Sequence, residues 1–146
     1  MEGIDLERWR ALPLIEQMAN IGSEVGRTRK WWTEKGNQRM AESAFLRALD
    51  LIDATIQTGR YGLDSRGALL KEILRARDLF TESYISSDCQ TLSYLDKYFG
   101  QFALAVRRNK YKIRRKAFVF LLIDFYRNNV FSRSEFASAD RPCVYL

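Results

Sequence analysis

The stretch Ile21-Gly22-Ser23-Glu24-Val25-Gly26-Arg27-Thr28-Arg29-Lys30-Trp31-Trp32, IGSEVGRTRKWW, decides how the N-terminal third of the chain folds. Its glycines and basic residues suit either a phosphate-cradling loop or a close-packing helix. A cradle needs its glycines in a loop, with free backbone N–H groups at a helix N-terminus. The surrounding pattern argues for a helix. Leu14, Met18, Ile21, Val25, Thr28 and Trp32 recur at alternating steps of four and three, a heptad-like seam. Both glycines then lie mid-helix, where each costs about 1 kcal/mol relative to alanine. At 3.6 residues per turn, Gly22 falls about 60° from Val25 and Gly26 about 100° from it, on the same side. Close approach of a neighbouring helix, from this chain or another subunit, offsets the cost.

The other residues of the stretch divide by direction. Arg27 and Lys30 point away from the seam and are expected in solvent. Arg29 lies only about 40° from it and is expected to pair with a buried carboxylate. Trp32 belongs to the core side, and Trp31 is a candidate subunit-contact residue.

Working outward, Pro13 suits a first helical turn and Gly36 a C-cap, which gives helix one over 13–35. A short turn from Leu6 to Leu12 is expected to lean on it through Trp9. Helix two spans 37–58, with Phe45, Leu49, Ile52 and Ile56 as its stripe and Ala41, Ala44 and Ala48 beside them. Helix three spans 65–83, capped by Ser65, with Leu69, Ile73, Ala76 and Phe80 inward. Helix four spans 90–108, with Leu92, Leu95, Phe99, Phe102 and Val106 stepping by three and four. The expected fold class is all-α: an antiparallel up-down four-helix bundle over 1–108, followed by a basic and then apolar C-terminal extension over 109–146.

Composition narrows the chemistry. The 146 residues contain no histidine and two cysteines, Cys89 and Cys143, expected as partly buried or free thiols. Histidine-dependent triads and histidine-ligated zinc are excluded. Asp50 and Asp53 share a side of helix two and, with Glu72 or Asp78, are the one combination with magnesium-site chemistry. A solvated face with ion pairs to Arg47, Arg75 or Arg77 accounts for them more simply. No metal site, cofactor or catalytic residue is therefore expected. No apolar run approaches the roughly 18–20 residues that cross a bilayer. The start, MEGIDLERW, does not resemble a signal peptide. The expectation is a cytoplasmic protein without a membrane role.

Charge is unevenly placed. The net charge is +6, yet the first 106 residues sum to −1 and residues 107–146 carry ten basic and three acidic groups. The run RRNKYKIRRK (107–116) holds seven of them: Arg107, Arg108, Lys110, Lys112, Arg114, Arg115 and Lys116. These are the main candidates for phosphate contact, with Tyr111 as a stacking group. Arg27, Lys30 and Arg39 are secondary candidates. The next run, AFVFLLIDFY (117–126), is apolar and aromatic, and periodicity does not say whether it is helix or strand. Exposed, it is an aggregation hazard, so burial on the bundle or on a partner is expected.

Three blocks, EQMANIGSEVGRTRKWWTEKGNQ, AESAFLRALDLIDATI and TLSYLDKYFGQFALAVRR, resemble the four-helix-bundle family of 23S rRNA intervening-sequence proteins. That superfamily includes Avd, the accessory variability determinant of diversity-generating retroelements. The resemblance covers about residues 8–108. It implies a non-enzymatic bundle that assembles as a ring-like homopentamer. In the Avd branch it also implies binding of RNA or DNA and of a reverse transcriptase. The alternative is a protein-interaction scaffold with no nucleic-acid role, in which 117–126 is the contact segment. Gly22, Gly26 and Trp31 are the expected packing residues within or between subunits.

Overall fold

The computed structural model describes residues 4–59 and 66–108, excluding the side chains of Arg66 and Ala68. Residues 60–65, with the expected cap Ser65, and residues 109–146 lie outside the described residues. The described chain is helical throughout its ordered elements: α1 (Leu6–Ala11), α2 (Leu14–Arg29), α3 (Gln38–Thr58), α4 (Arg66–Ile85) and α5 (Cys89–Arg108). A π-helical turn, Lys30–Glu34, extends α2.

Side-chain caps open α1, α3 and α5. Asp5 accepts from the N–H groups of Glu7 and Arg8 and opens α1. Asn37 accepts from the Met40 N–H and opens α3. Asp88 accepts from the N–H groups of Gln90 and Thr91, both at 3.0 Å, and opens α5. At the end of the π turn, Gly36 adopts a φ of 59° and the Asn37 N–H reaches back to the Trp31 carbonyl at 3.0 Å. That closure suits glycine, which tolerates the left-handed conformation without a Cβ clash.

The π turn is one element the periodicity did not show. The Lys35 N–H bonds the Lys30 carbonyl at 3.1 Å, five residues back, so the turn holds one extra residue. Trp32 is buried with its ring 5.0 Å from that of Tyr84, and Trp31 packs partly buried against the core.

α1 also departs from expectation. It is a helix, and Trp9 ties it to α3: the buried indole Nε1 donates to Thr55 Oγ1 at 3.1 Å. Contact with α2 comes from Gln17, whose buried amide donates to the carbonyls of Trp9 and Leu12.

α2 lies between α3 and α5 and makes its most extensive contacts with α5. The two run antiparallel: Gly22 faces Phe99, and one turn on, Gly26 faces Asp96. α3 and α4 are also antiparallel, since Phe45 stacks on Tyr84 at 4.0 Å while Asp53 meets Arg77. α4 completes the core against α3 and α5. The interior holds Met18, Ile21 and Val25 of α2, Ala48 and Ile52 of α3, Ile73 and Phe80 of α4, and Leu92, Phe99 and Phe102 of α5. Each large side chain there contributes about 1.5–3 kcal/mol through burial. Ala41, Ala44 and Ala48 lie deeper than Leu49 and Ile56, which are only partly buried. The α3 stripe is therefore rotated towards its alanines, which admit a close neighbour.

Candidate nucleic-acid interface

The glycines of the opening stretch face α5 and no ligand is needed to account for them. A Cβ on Gly22 would lie 2.8 Å from the Phe99 Cβ and 3.0 Å from the Phe99 carbonyl oxygen. One on Gly26 would lie 2.8 Å from Asp96 Oδ1. The missing side chain at Gly26 leaves room for the Asp96 carboxylate over α2, where its other oxygen accepts from Arg29 Nε at 2.7 Å. Arg29 also bonds Glu34 at 3.0 Å across the π turn. The Asp96 hydrogen bond holds the Arg29 guanidinium more firmly protonated than usual. Asp96 is partly buried, so Arg29 spans the α2–α5 contact from its edge.

The basic candidates fall into two groups. Arg107 and Arg108 are exposed in the last turn of α5, where cations also complement the negative end of the helix dipole. Antiparallel packing sets that turn beside the start of α2. Arg27 and Lys30 lie more than a dozen residues further along α2, about 20 Å away at 1.5 Å per residue. Both are exposed, and Arg27 pairs with Glu24 at 3.1 Å. Arg39 is exposed near the start of α3, at the same end as Arg27 and Lys30. Lys110, Lys112, Arg114, Arg115 and Lys116 lie outside the described residues.

Two further arginines share the end occupied by Arg107 and Arg108. Arg8 and Arg10 are exposed on α1, which Trp9 and Gln17 hold against the end of α3 and the start of α2. Sequence reading passed over them because Asp5 and Glu7 balance them along the chain. The signal was Trp9, an apolar anchor among charges.

The acidic groups are engaged structurally. Asp53 receives Arg77 Nε at 2.8 Å and Nη2 at 3.2 Å, a two-point pair between α3 and α4. Glu24 is buried on α2, with Arg27 at 3.1 Å and Arg47 of α3 at 3.6 Å. Burial raises the Glu72 carboxyl pKa, a nearby Arg75 opposes the shift, and one Glu72 oxygen is buried without a hydrogen-bond partner among the described residues. No group of three or more Cys, Asp or Glu side chains is placed to hold a metal ion among the described residues. Cys89 is disulfide-bonded, which corrects the free-thiol expectation there. Among the described residues, no helix is long and apolar enough to cross a membrane.

No family model, curated protein or solved structure matches the chain.

Proposed function

We propose that this protein is a non-catalytic, oligomeric accessory protein that binds nucleic acid through the basic end of α5 and the run that follows it. α2, α3, α4 and α5 are taken as the four members of an up-down bundle. The resemblance to 23S rRNA intervening-sequence proteins and Avd supports a homopentamer acting on RNA or DNA beside a reverse transcriptase. The observation that carries the reading is the position of Arg107 and Arg108. They project from the last turn of α5 and lead directly into Lys110–Lys116, while the preceding 106 residues sum to −1. Assembly multiplies such a basic segment, and each phosphate it neutralises releases counterions.

Filter binding tests this reading with labelled RNA and single-stranded DNA on the full chain. The comparison is a variant with the seven basic residues of 107–116 changed to Gln. At low salt the natural chain binds and the variant binds at least tenfold more weakly, with unchanged circular dichroism. Absence of binding by the natural chain at low salt refutes the proposal.

A further inference from the structure

The side of the molecule where α3 meets α4 carries an incompletely covered apolar groove. Arg77 and Asp53 pair across this seam and mark its outer side. Leu46 precedes Asp53 by two helical turns, so it shares that face of α3. It is 41% exposed. On α4, Leu74 precedes Arg77 by one turn and is 40% exposed, and Ile85 follows Thr81 by one turn and is 76% exposed. Arg77, Asp78, Thr81, Glu82, Ile85 and Ser86 line a depression on α4 itself, in which Ile85 is the apolar member. Leu70 and Ile56, both only partly buried, continue the apolar surface towards the end of the molecule where α5 finishes.

The same chain contains an apolar segment in search of cover. Nine of the ten residues in AFVFLLIDFY, 117–126, are apolar or aromatic. The eight residues between Arg108 and Ala117 span at most about 27 Å when extended. A helix is roughly 10–12 Å across, so eight residues are long enough to pass over α4 to the groove. Tethering also decides between occupants. A segment joined to its own chain by so short a connection meets it at an effective concentration on the order of millimolar, far above that of a second copy at micromolar protein.

We propose that residues 117–126 of the same chain dock in the α3–α4 groove, against Leu46, Leu74 and Ile85. Docking removes two apolar surfaces from water at once. It also draws the basic linker across the end that displays Arg8, Arg10, Arg107 and Arg108. The inference stands independently of nucleic-acid binding.

A photo-crosslinking amino acid placed at Leu74 of the full chain tests it. Irradiation is expected to give a product that migrates as a monomer, with the crosslink mapped to 117–126 by mass spectrometry. Alongside it, hydrogen exchange compares the natural chain with the Leu74→Glu, Ile85→Glu double variant. Amides of 117–126 are expected to exchange at least tenfold faster in the variant, while α2 and α5 keep their protection. A crosslink migrating as a dimer assigns the groove to a second copy and overturns the proposal. So does a crosslink elsewhere, or exchange of 117–126 that the variant leaves unchanged.

Discussion

Replacing Gly22 by alanine gives two opposed contributions. Alanine is the better helix former by about 1 kcal/mol, so on a free helix Gly22→Ala is stabilising. Here its Cβ would lie 2.8 Å from the Phe99 Cβ and 3.0 Å from a backbone carbonyl oxygen. Neither is the end of a flexible side chain, so α2 and α5 must separate. Overpacking of this kind costs typically 1–3 kcal/mol, and the upper half applies because the backbone itself is obstructed. The expected net loss is about 1–2 kcal/mol, a fall in Tm of roughly 3–8 °C for a domain of this size. Gly100 is the internal control: it lies in α5 and nothing stands within 4 Å of its Cβ position. Gly100→Ala should therefore gain up to about 1 kcal/mol. Gly26→Ala should fall between them, because the obstructing Asp96 carboxylate is able to turn away at the expense of its bond to Arg29. Thermal denaturation of the three variants at one protein concentration provides the assay. A Gly22→Ala protein as stable as the natural chain, or more so, refutes the close-packing account of IGSEVGRTRKWW.

Three other outcomes follow from single contacts. Asp88→Ala should lower stability by about 1–2 kcal/mol in denaturant titration, because it uncaps α5 and frees the Thr91 hydroxyl held at 2.6 Å. Trp9→Phe should cost about 1–2 kcal/mol by removing the bond to Thr55, with loss of amide protection concentrated in α1. Glu72 has a folded-state pKa above its unfolded value, so its charge destabilises the fold as pH rises through the folded pKa. The Tm of Glu72→Gln relative to the natural chain should thus be higher at pH 7 than at pH 4; an equal difference at both would contradict the burial argument.

The long helices were legible because their apolar spacing and their punctuation agree. Asn37, Gly36 and Asp88 end or start helices where their side-chain or backbone chemistry requires it. The positions of Gly22 and Gly26 on one side of the seam identified a close approach, but only the fold assigns it to α5 of the same chain. The π turn was not legible, since one inserted residue leaves the local composition unchanged and only packing around Trp31 and Trp32 distinguishes it from α-helix. Trp9 was legible as an anchor but not its partner, because Thr55 is far along the chain and its hydroxyl carries no pattern. Charge counting located the basic surplus. It ranked Arg107 and Arg108 above Arg27, Lys30 and Arg39 but did not show that the two groups lie at opposite ends of α2, which requires the antiparallel register of α2 and α5.

The salt dependence of binding tests the central claim most directly. Affinity of the full chain for a single-stranded oligonucleotide is measured across a range of salt concentrations. If the seven basic residues of 107–116 each contact a phosphate, log K falls against log salt with a slope of about −5 per chain, and Arg107→Gln with Arg108→Gln makes it shallower by about 1.4. A slope near zero, or one that the double substitution leaves unchanged, contradicts the assignment of the phosphate-binding surface to the end of α5.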